Sequence, residues 1–147
     1  MDKKELRIGN WIQIVNPNKP EEIVYGTITQ LQNFCAIVKN NNKEIAVGYK
    51  LIKPIEITND LLINKLNFKL HKTLGKLGYL TNKKLRITAI EVMDVTENND
   101  YHSDGWNIHI DDEHFMTSYA NKLKYVHQLQ NAYFSATDNE IEIEIKI

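Results

Sequence analysis

The sequence predicts an α+β protein in which a small N-terminal β-barrel is followed by an antiparallel sheet that packs against a C-terminal helix. Short β-prone runs separated by turn residues fill the first 57 residues. Apolar and polar residues alternate over Trp106–Asp111, and apolar residues recur at three- and four-residue steps over Tyr125–Ala136. We therefore place a barrel subdomain at 1–57 and an α+β subdomain at 58–147, with one continuous domain as the alternative.

Four short strands are predicted in the barrel subdomain, each bounded by Gly, Pro or Asn turn residues. They are Trp11–Val15, Ile23–Thr29, Cys35–Val38 and Glu44–Tyr49. The run Leu6-Arg7-Ile8-Gly9-Asn10-Trp11-Ile12 resembles the start of SH3-like barrels, where a Gly-polar pair precedes the first strand. This resemblance implies that residues 1–57 form an SH3-like β-barrel.

The α+β subdomain is predicted to begin with a short helix that Thr58 caps at its N-terminus. Leu85–Val95 reads as a strand, and the strict alternation of Trp106–Asp111 predicts another. Turn-forming residues dominate Asn98–Gly105, so we expect a loop between these two strands.

The main helix is predicted from about Lys124 to Ala136, where no proline interrupts the apolar spacing. After it, Ile alternates strictly with charged residues over Ile141–Ile147. Such a strand must bury its Ile face, so we expect it to pair into a sheet or to mediate an oligomer contact.

Composition narrows the classes of function. The chain has 147 residues, of which 42% are apolar and 25% charged, and these values are typical of a folded domain. A formal net charge of -1 excludes a uniformly basic nucleic-acid-binding protein. Cys35 is the single cysteine, so an intrachain disulfide is excluded. No secretory signal is visible and no run approaches the ~18 apolar residues of a membrane span, which predicts a reducing intracellular location.

The small net charge conceals two opposed blocks. Residues 61–90 contain seven basic side chains and no Asp or Glu, whereas residues 91–121 contain eight acidic side chains and no Lys or Arg. The basic block consists of Lys65, Lys69, Lys72, Lys76, Lys83, Lys84 and Arg86. The acidic block consists of Glu91, Asp94, Glu97, Asp100, Asp104, Asp111, Asp112 and Glu113. Two interpretations stay open: the blocks pair with each other across a sheet, or one of them is a patch for a partner.

Each block predicts a different partner. The basic block would neutralise the phosphates of RNA or DNA, with Phe68 and Tyr79 available to stack on exposed bases. The acidic block would instead dock onto a basic groove of another protein.

We predict no catalytic site, no cofactor and no metal. The chain lacks a nucleophile elbow, and Gly75-Lys76-Leu77-Gly78 is too sparse for a phosphate-binding loop. Three of the five histidines lie among five carboxylates between positions 100 and 114, but their spacing fits no metal-site template. We therefore expect a binding protein and not an enzyme.

A polar cluster lies on the predicted main helix. Its members are His127, Gln128, Gln130 and Asn131. These side chains either satisfy buried backbone groups of adjoining strands or form a recognition surface.

Two signature segments, Leu6–Trp11 near the N-terminus and Tyr125–Phe134 near the C-terminus, carry a resemblance. With Ile52-Lys53-Pro54-Ile55 and the helix that ends at Phe68, they resemble the layout of a family of small proteins of Bacteroidetes phages and prophages. Asp138-Asn139 departs from that layout, because the relatives tend to carry glycine there. The resemblance implies a phage or prophage protein that acts in the bacterial host cytoplasm, and it implies no particular activity.

The predicted function is that of a non-enzymatic binding protein whose partner is a host protein or ribonucleoprotein. A phage origin makes inhibition of a host defence system, such as a CRISPR effector, a specific hypothesis. The alternatives are a nucleic-acid-binding accessory protein that uses the basic block, and a virion component that uses the Ile-rich tail. A membrane partner is not expected, and the oligomeric state stays open.

Overall fold

The computed structural model describes residues 1–72, 78–114 and 116–141. They form two five-stranded antiparallel sheets and one C-terminal α-helix, which confirms the predicted α+β class. The chain divides into two compact units. The first unit comprises Met1–Glu56 and Tyr125–Asn131, and the second comprises Ile57–Lys124 and Ala132–Ile147.

The sheet of the first unit has the strand order β4-β3-β2-β1-β5. The strands are β1 (Trp11–Asn16), β2 (Lys19–Leu31), β3 (Cys35–Asn40), β4 (Lys43–Gly48) and β5 (Ile52–Lys53). The four predicted strands are thus present, and the short β5 returns to pair with β1 at Gln13 and Ile14. The core of the unit is formed by Leu6, which precedes β1, and by apolar residues of these strands, namely Ile12, Ile28, Ala36, Val38, Val47 and Ile52.

The sheet of the second unit has the order β10-β9-β8-β7-β6. Its strands are β6 (Lys69–Lys72), β7 (Gly78–Asn82), β8 (Ile87–Val95), β9 (Tyr101–Asp111) and β10 (Thr117–Leu123). One face of the sheet is buried and apolar, and includes Leu80, Ile87, Ala89, Trp106, Ile108 and Ile110. A short π-helix at Leu61–Lys65 precedes the sheet. The Leu61 N–H donates to Thr58 Oγ1 at 3.1 Å, which confirms Thr58 as the cap.

The loop predicted at Asn98–Gly105 is wrong in its second half, because β9 already begins at Tyr101. The register between β8 and β9 shifts between Glu91 and Met93, which leaves an extra residue in β9 next to Gly105. Gly105 has φ +107°, and a Cβ there would lie 2.9 Å from the carbonyl oxygen of Leu123. The turn-forming residues therefore mark a β-bulge inside a strand.

The main helix, α1 (Val126–Thr137), begins and ends within two residues of the prediction. The next residue, Asp138, terminates the helix: its φ is +57°, and its N–H donates to the Phe134 carbonyl at 2.8 Å. The predicted strand at Ile141–Ile147 lies outside the described residues after Ile141, which is buried. Within residues 1–72, 78–114 and 116–141, no helix combines the length and the hydropathy that crossing a bilayer requires.

Candidate partner-binding surfaces

Gln130, in the polar helix cluster, holds the chain segment that leads into β1. Its Oε1 accepts the Trp11 N–H at 2.8 Å, and its Nε2 donates to the Gly9 carbonyl at 3.0 Å. Its side chain is 1% exposed. The amide thus supplies both a donor and an acceptor, as a neighbouring strand would.

Asn131 extends the same connection. Its Oδ1 accepts from Asn10 Nδ2 at 2.8 Å and from Arg7 Nε at 3.2 Å, and its Nδ2 donates to the Glu5 carbonyl at 3.2 Å. Asn10 is fully buried, and its Oδ1 also accepts the Arg7 N–H at 2.8 Å. The two signature segments are therefore bonded to each other, which favours a structural role for Gln130 and Asn131.

The other two members of the cluster lie in the first turn of α1. Gln128 Oε1 accepts the Tyr125 N–H at 3.2 Å, which is the side-chain half of a capping box. His127 is 1% exposed, its ring stacks on Tyr125 with centroids 5.8 Å apart, and neither ring nitrogen has a hydrogen-bond partner among the described residues. Burial lowers the pKa of His127 more than the charge of Glu5 raises it. Neither His127 nor Gln130 offers a surface to a partner, because both are buried.

Three cations of the basic block share one turn, which we name the basic turn (Lys83–Arg86, between β7 and β8). The buried Asn82 fixes this turn: its Nδ2 donates to the Leu66 carbonyl at 2.6 Å, and its Oδ1 accepts the Leu85 N–H at 3.0 Å. Of the other predicted site residues, Lys65 ends the π-helix, Lys69 and Lys72 lie in β6, and Lys76 lies outside the described residues.

A cleft of about 380 Å³ opens beside the basic turn. It is lined by His71, Thr81, Asn82, Lys83, Arg86, Ile87, Thr88 and Asp111. The His71 ring stacks on Tyr79, with centroids 5.4 Å apart and planes at 12°. Phe68 is only 2% exposed, so the expectation that it stacks on bases is wrong: its ring belongs to the core. Sequence reasoning missed His71, Thr81 and Thr88, which carry no motif and meet only through strand pairing.

The acidic block divides into three groups. Asp111, Asp112 and Glu113 lie near the basic turn, where Arg86 Nη1 donates to the Asp112 carbonyl at 2.7 Å. Asp104 pairs with Lys122 at 2.6 Å and Lys124 at 3.1 Å, which belong to neither block. Hydrogen bonds from these two lysines lower the pKa of Asp104 to about 2. The remaining carboxylates, Glu91, Asp94, Glu97 and Asp100, follow the far end of β8 and its connection to β9.

We name this far end the acidic ribbon (residues 91–103). Beyond the bulge, Met93 pairs with Ser103, Asp94 with His102 and Val95 with Tyr101. In the described part of the chain, the pairing of β7 with β8 stops at Ala89 and that of β10 with β9 stops at Trp106, so the ribbon is two-stranded.

One face of the acidic ribbon is apolar. Directly paired residues share a face, as do residues two apart on one strand, so Met93, Val95 and Tyr101 lie together. They are 39%, 54% and 72% exposed. The turn at the tip is ordered by two bonds: the Thr96 N–H donates to the Asp100 carbonyl at 2.9 Å, and the Asp100 N–H to Thr96 Oγ1 at 3.2 Å.

The histidine and carboxylate residues between 100 and 114 do not converge. Among the residues that the structure describes, no group of three or more His, Cys, Asp or Glu side chains could hold a metal ion. His109 instead packs edge-on against Tyr119, with ring centroids 4.7 Å apart.

Comparison of the chain with protein-family models, with curated proteins and with solved structures finds no match. Its function is therefore inferred from its own surfaces.

Proposed function

We propose that this chain is a non-enzymatic binding protein of a phage or prophage that inhibits a host defence protein or ribonucleoprotein in the host cytoplasm. One observation carries the proposal: the acidic ribbon combines an exposed apolar face with an excess of carboxylates.

The apolar face of the ribbon argues for a partner. A two-stranded ribbon is marginally stable in water, and exposed apolar side chains on open strand edges favour association with another chain. Tyr101 and Met93 are residue types that are enriched at protein interfaces. A partner that covers Met93, Val95 and Tyr101 would bury this face and order the ribbon.

The charge of the ribbon selects the kind of partner. Asp94, Glu97 and Asp100 are exposed, and no Lys or Arg occurs from Glu91 to Asn121. A second copy of the ribbon would bring like charges together, which disfavours self-association. A basic protein surface, such as one that normally holds nucleic acid, would instead attract the ribbon and speed the encounter.

We also propose that the first unit is an SH3-like barrel and that the chain belongs with the phage proteins whose signatures it shares. The order β4-β3-β2-β1-β5, in which the last short strand returns to the first, supports the barrel. The hydrogen bonds between the two signature segments support the family, because they give both segments one shared structural role.

A phage-plating assay tests the proposal. The chain is expressed in a bacterial host with an active CRISPR system, and the plating efficiency of a targeted phage is measured. The ribbon variant replaces Met93, Val95 and Tyr101 with serine, and Phe34→Ser is the matched control because Phe34 is 89% exposed on a turn of the first unit. We expect plating to rise with the wild type and with the control, and not with the ribbon variant.

A second variant separates charge from apolar contact. Replacing Asp94, Glu97 and Asp100 with their amides leaves the apolar face intact, so we expect slower association with a purified CRISPR effector and a weaker dependence on salt. A ribbon variant as active as the wild type would contradict the role of the ribbon. A wild type that never raises plating would contradict the defence target.

A further inference from the structure

We infer that the basic turn and the cleft beside it bind a single-stranded nucleic acid. This inference goes beyond the proposed function and does not rest on it. It concerns the opposite end of the β8–β9 pair from the acidic ribbon, and it uses different side chains. A chain with both surfaces suits a ribonucleoprotein, because the ribbon would meet the protein and the cleft would meet the RNA.

The basic turn is organised before any ligand arrives. Both polar atoms of the Asn82 amide are engaged, one with the Leu66 carbonyl and one with the Leu85 N–H. Arg86 has φ +54°, and its carbonyl accepts the Asp111 N–H at 3.1 Å. Lys83, Lys84 and Arg86 are therefore presented from a fixed backbone, which lowers the entropy lost on binding an anion.

The lining of the cleft fits a phosphodiester chain better than a lone anion. Its volume of about 380 Å³ is that of a small-ligand site, and Thr81 and Thr88 add hydroxyl groups beside Lys83 and Arg86. Asp111 is the one carboxylate among these lining residues, and it accepts a hydrogen bond from the Thr117 hydroxyl at 2.5 Å. Lys83, Arg86 and Asp111 together give the lining a net charge of only +1, so a single phosphate would gain little.

A strand would reach more cations than the cleft alone. Lys69 pairs with Thr81, and Thr81 pairs with Thr88, so Lys69 lies in line with the cleft across three strands. Lys84 is exposed on the basic turn itself. A polyanion that follows this line would neutralise Lys69, Lys83, Lys84 and Arg86 together.

Two aromatic rings next to these cations are the reason why we expect the site to prefer unpaired bases. His71 and Tyr79 lie on paired strands and stack with nearly parallel planes, and both rings are half-buried. Aromatic side chains on the face of an antiparallel sheet hold splayed-out bases in several classes of RNA-binding protein. Stacking tolerates any base, so the site would read phosphates and flat rings with little sequence preference.

Fluorescence anisotropy with labelled twelve-residue oligouridylate and oligothymidylate tests this site at low and moderate salt. The test variant combines Lys83→Gln and Arg86→Gln. The matched control combines Lys43→Gln and Lys50→Gln, which removes the same charge from exposed positions of the first unit. We expect saturable binding by the wild type, roughly tenfold weaker binding by the test variant, and a salt slope reduced by about 0.7 for each cation removed. The control should match the wild type.

His71→Ala tests stacking separately from charge. It should weaken binding at both salt concentrations without changing the slope of the binding constant against salt concentration. Thermal unfolding of each variant verifies that it is folded. Absence of binding at low salt, or equal losses in the test and control variants, would overturn the inference. Equal affinity for a mononucleotide, or for duplex of the same length, would overturn the assignment to a single strand. The ribbon variant should bind the oligonucleotide normally, so the two proposals fail separately.

Discussion

Replacing Gln130 with alanine tests whether the two signature segments depend on each other. The substitution removes the acceptor of the Trp11 N–H and the donor to the Gly9 carbonyl, in a side chain that is 1% exposed. Each half-buried backbone group left without a partner costs about 1–3 kcal/mol, so the two together should lower the free energy of unfolding by about 2–6 kcal/mol. Because about 1.4 kcal/mol corresponds to a factor of ten, exchange of the Trp11 amide hydrogen should accelerate by at least roughly 30-fold.

Urea unfolding and amide exchange followed by NMR measure these two quantities. Gln128→Ala is the matched control, since Gln128 lies on the same helix and makes a local bond to Tyr125 N–H at 3.2 Å. Loss of a capping interaction of this kind costs about 1 kcal/mol, and it should leave the Trp11 amide protected. Unchanged exchange of the Trp11 amide in Gln130→Ala would refute the reasoning.

Three further predictions concern single positions. Lys122 and Lys124 hold the pKa of Asp104 at about 2, below its ordinary 3.8. The stabilisation of the fold by this carboxylate is therefore complete above pH 3.8 and is lost as the pH falls from 3.8 towards 2. Urea midpoints of Asp104→Asn should therefore fall less than those of the wild type over that interval. Burial lowers the pKa of His127 below 6.5, so stability should decrease as pH falls below 6.5, and His127→Phe should flatten this decrease between pH 7.5 and 5. Gly105→Ala should lower the free energy of thermal unfolding by at least about 2 kcal/mol, because it combines a φ of +107° with a Cβ 2.9 Å from a carbonyl oxygen. Gly48→Ala, where nothing lies within 4 Å of the added Cβ, should change it little.

Local patterns predicted the elements whose two faces differ in polarity. α1 could be predicted because its apolar spacing is regular. β1 to β4 could be predicted because each is a β-branched run between turn residues. β10 was missed because it is largely exposed, so its apolar and polar residues do not alternate. β6 and β7 were missed for a related reason: cross-strand packing and not intrinsic preference decides such short segments.

The candidate surfaces also have features that local sequence patterns predict and features that they do not. Charge segregation is visible in the sequence, and the basic turn and the acidic ribbon, which belong to the two charged blocks, lie at opposite ends of the β8–β9 pair. Which groups meet is set by register, and no local pattern reveals that the Asp104 carboxylate pairs with Lys122 while Arg86 donates to the backbone carbonyl of Asp112. Phe68 gives a second example. From the sequence alone, an aromatic residue among lysines is equally compatible with burial in a core and with stacking on nucleic-acid bases. The burial of Phe68, which depends on the packing of the whole sheet, assigns it to the core.

The Trp11 N–H and the Gln130 side chain that accepts from it are 119 residues apart in the chain. Protein synthesis proceeds from the N-terminus, and domains generally fold as their residues emerge. On the ribosome, β1 to β5 are therefore synthesised well before Tyr125–Asn131, because all five strands of the second unit are made in between. A nascent chain that stops before Tyr125 should leave the Leu6–Trp11 segment open to proteases, even when every strand of its sheet has been synthesised. The first unit is thus begun first, yet it is completed only after all five strands of the second unit have been made, and loss of Tyr125–Asn131 would destabilise the segment that leads into β1.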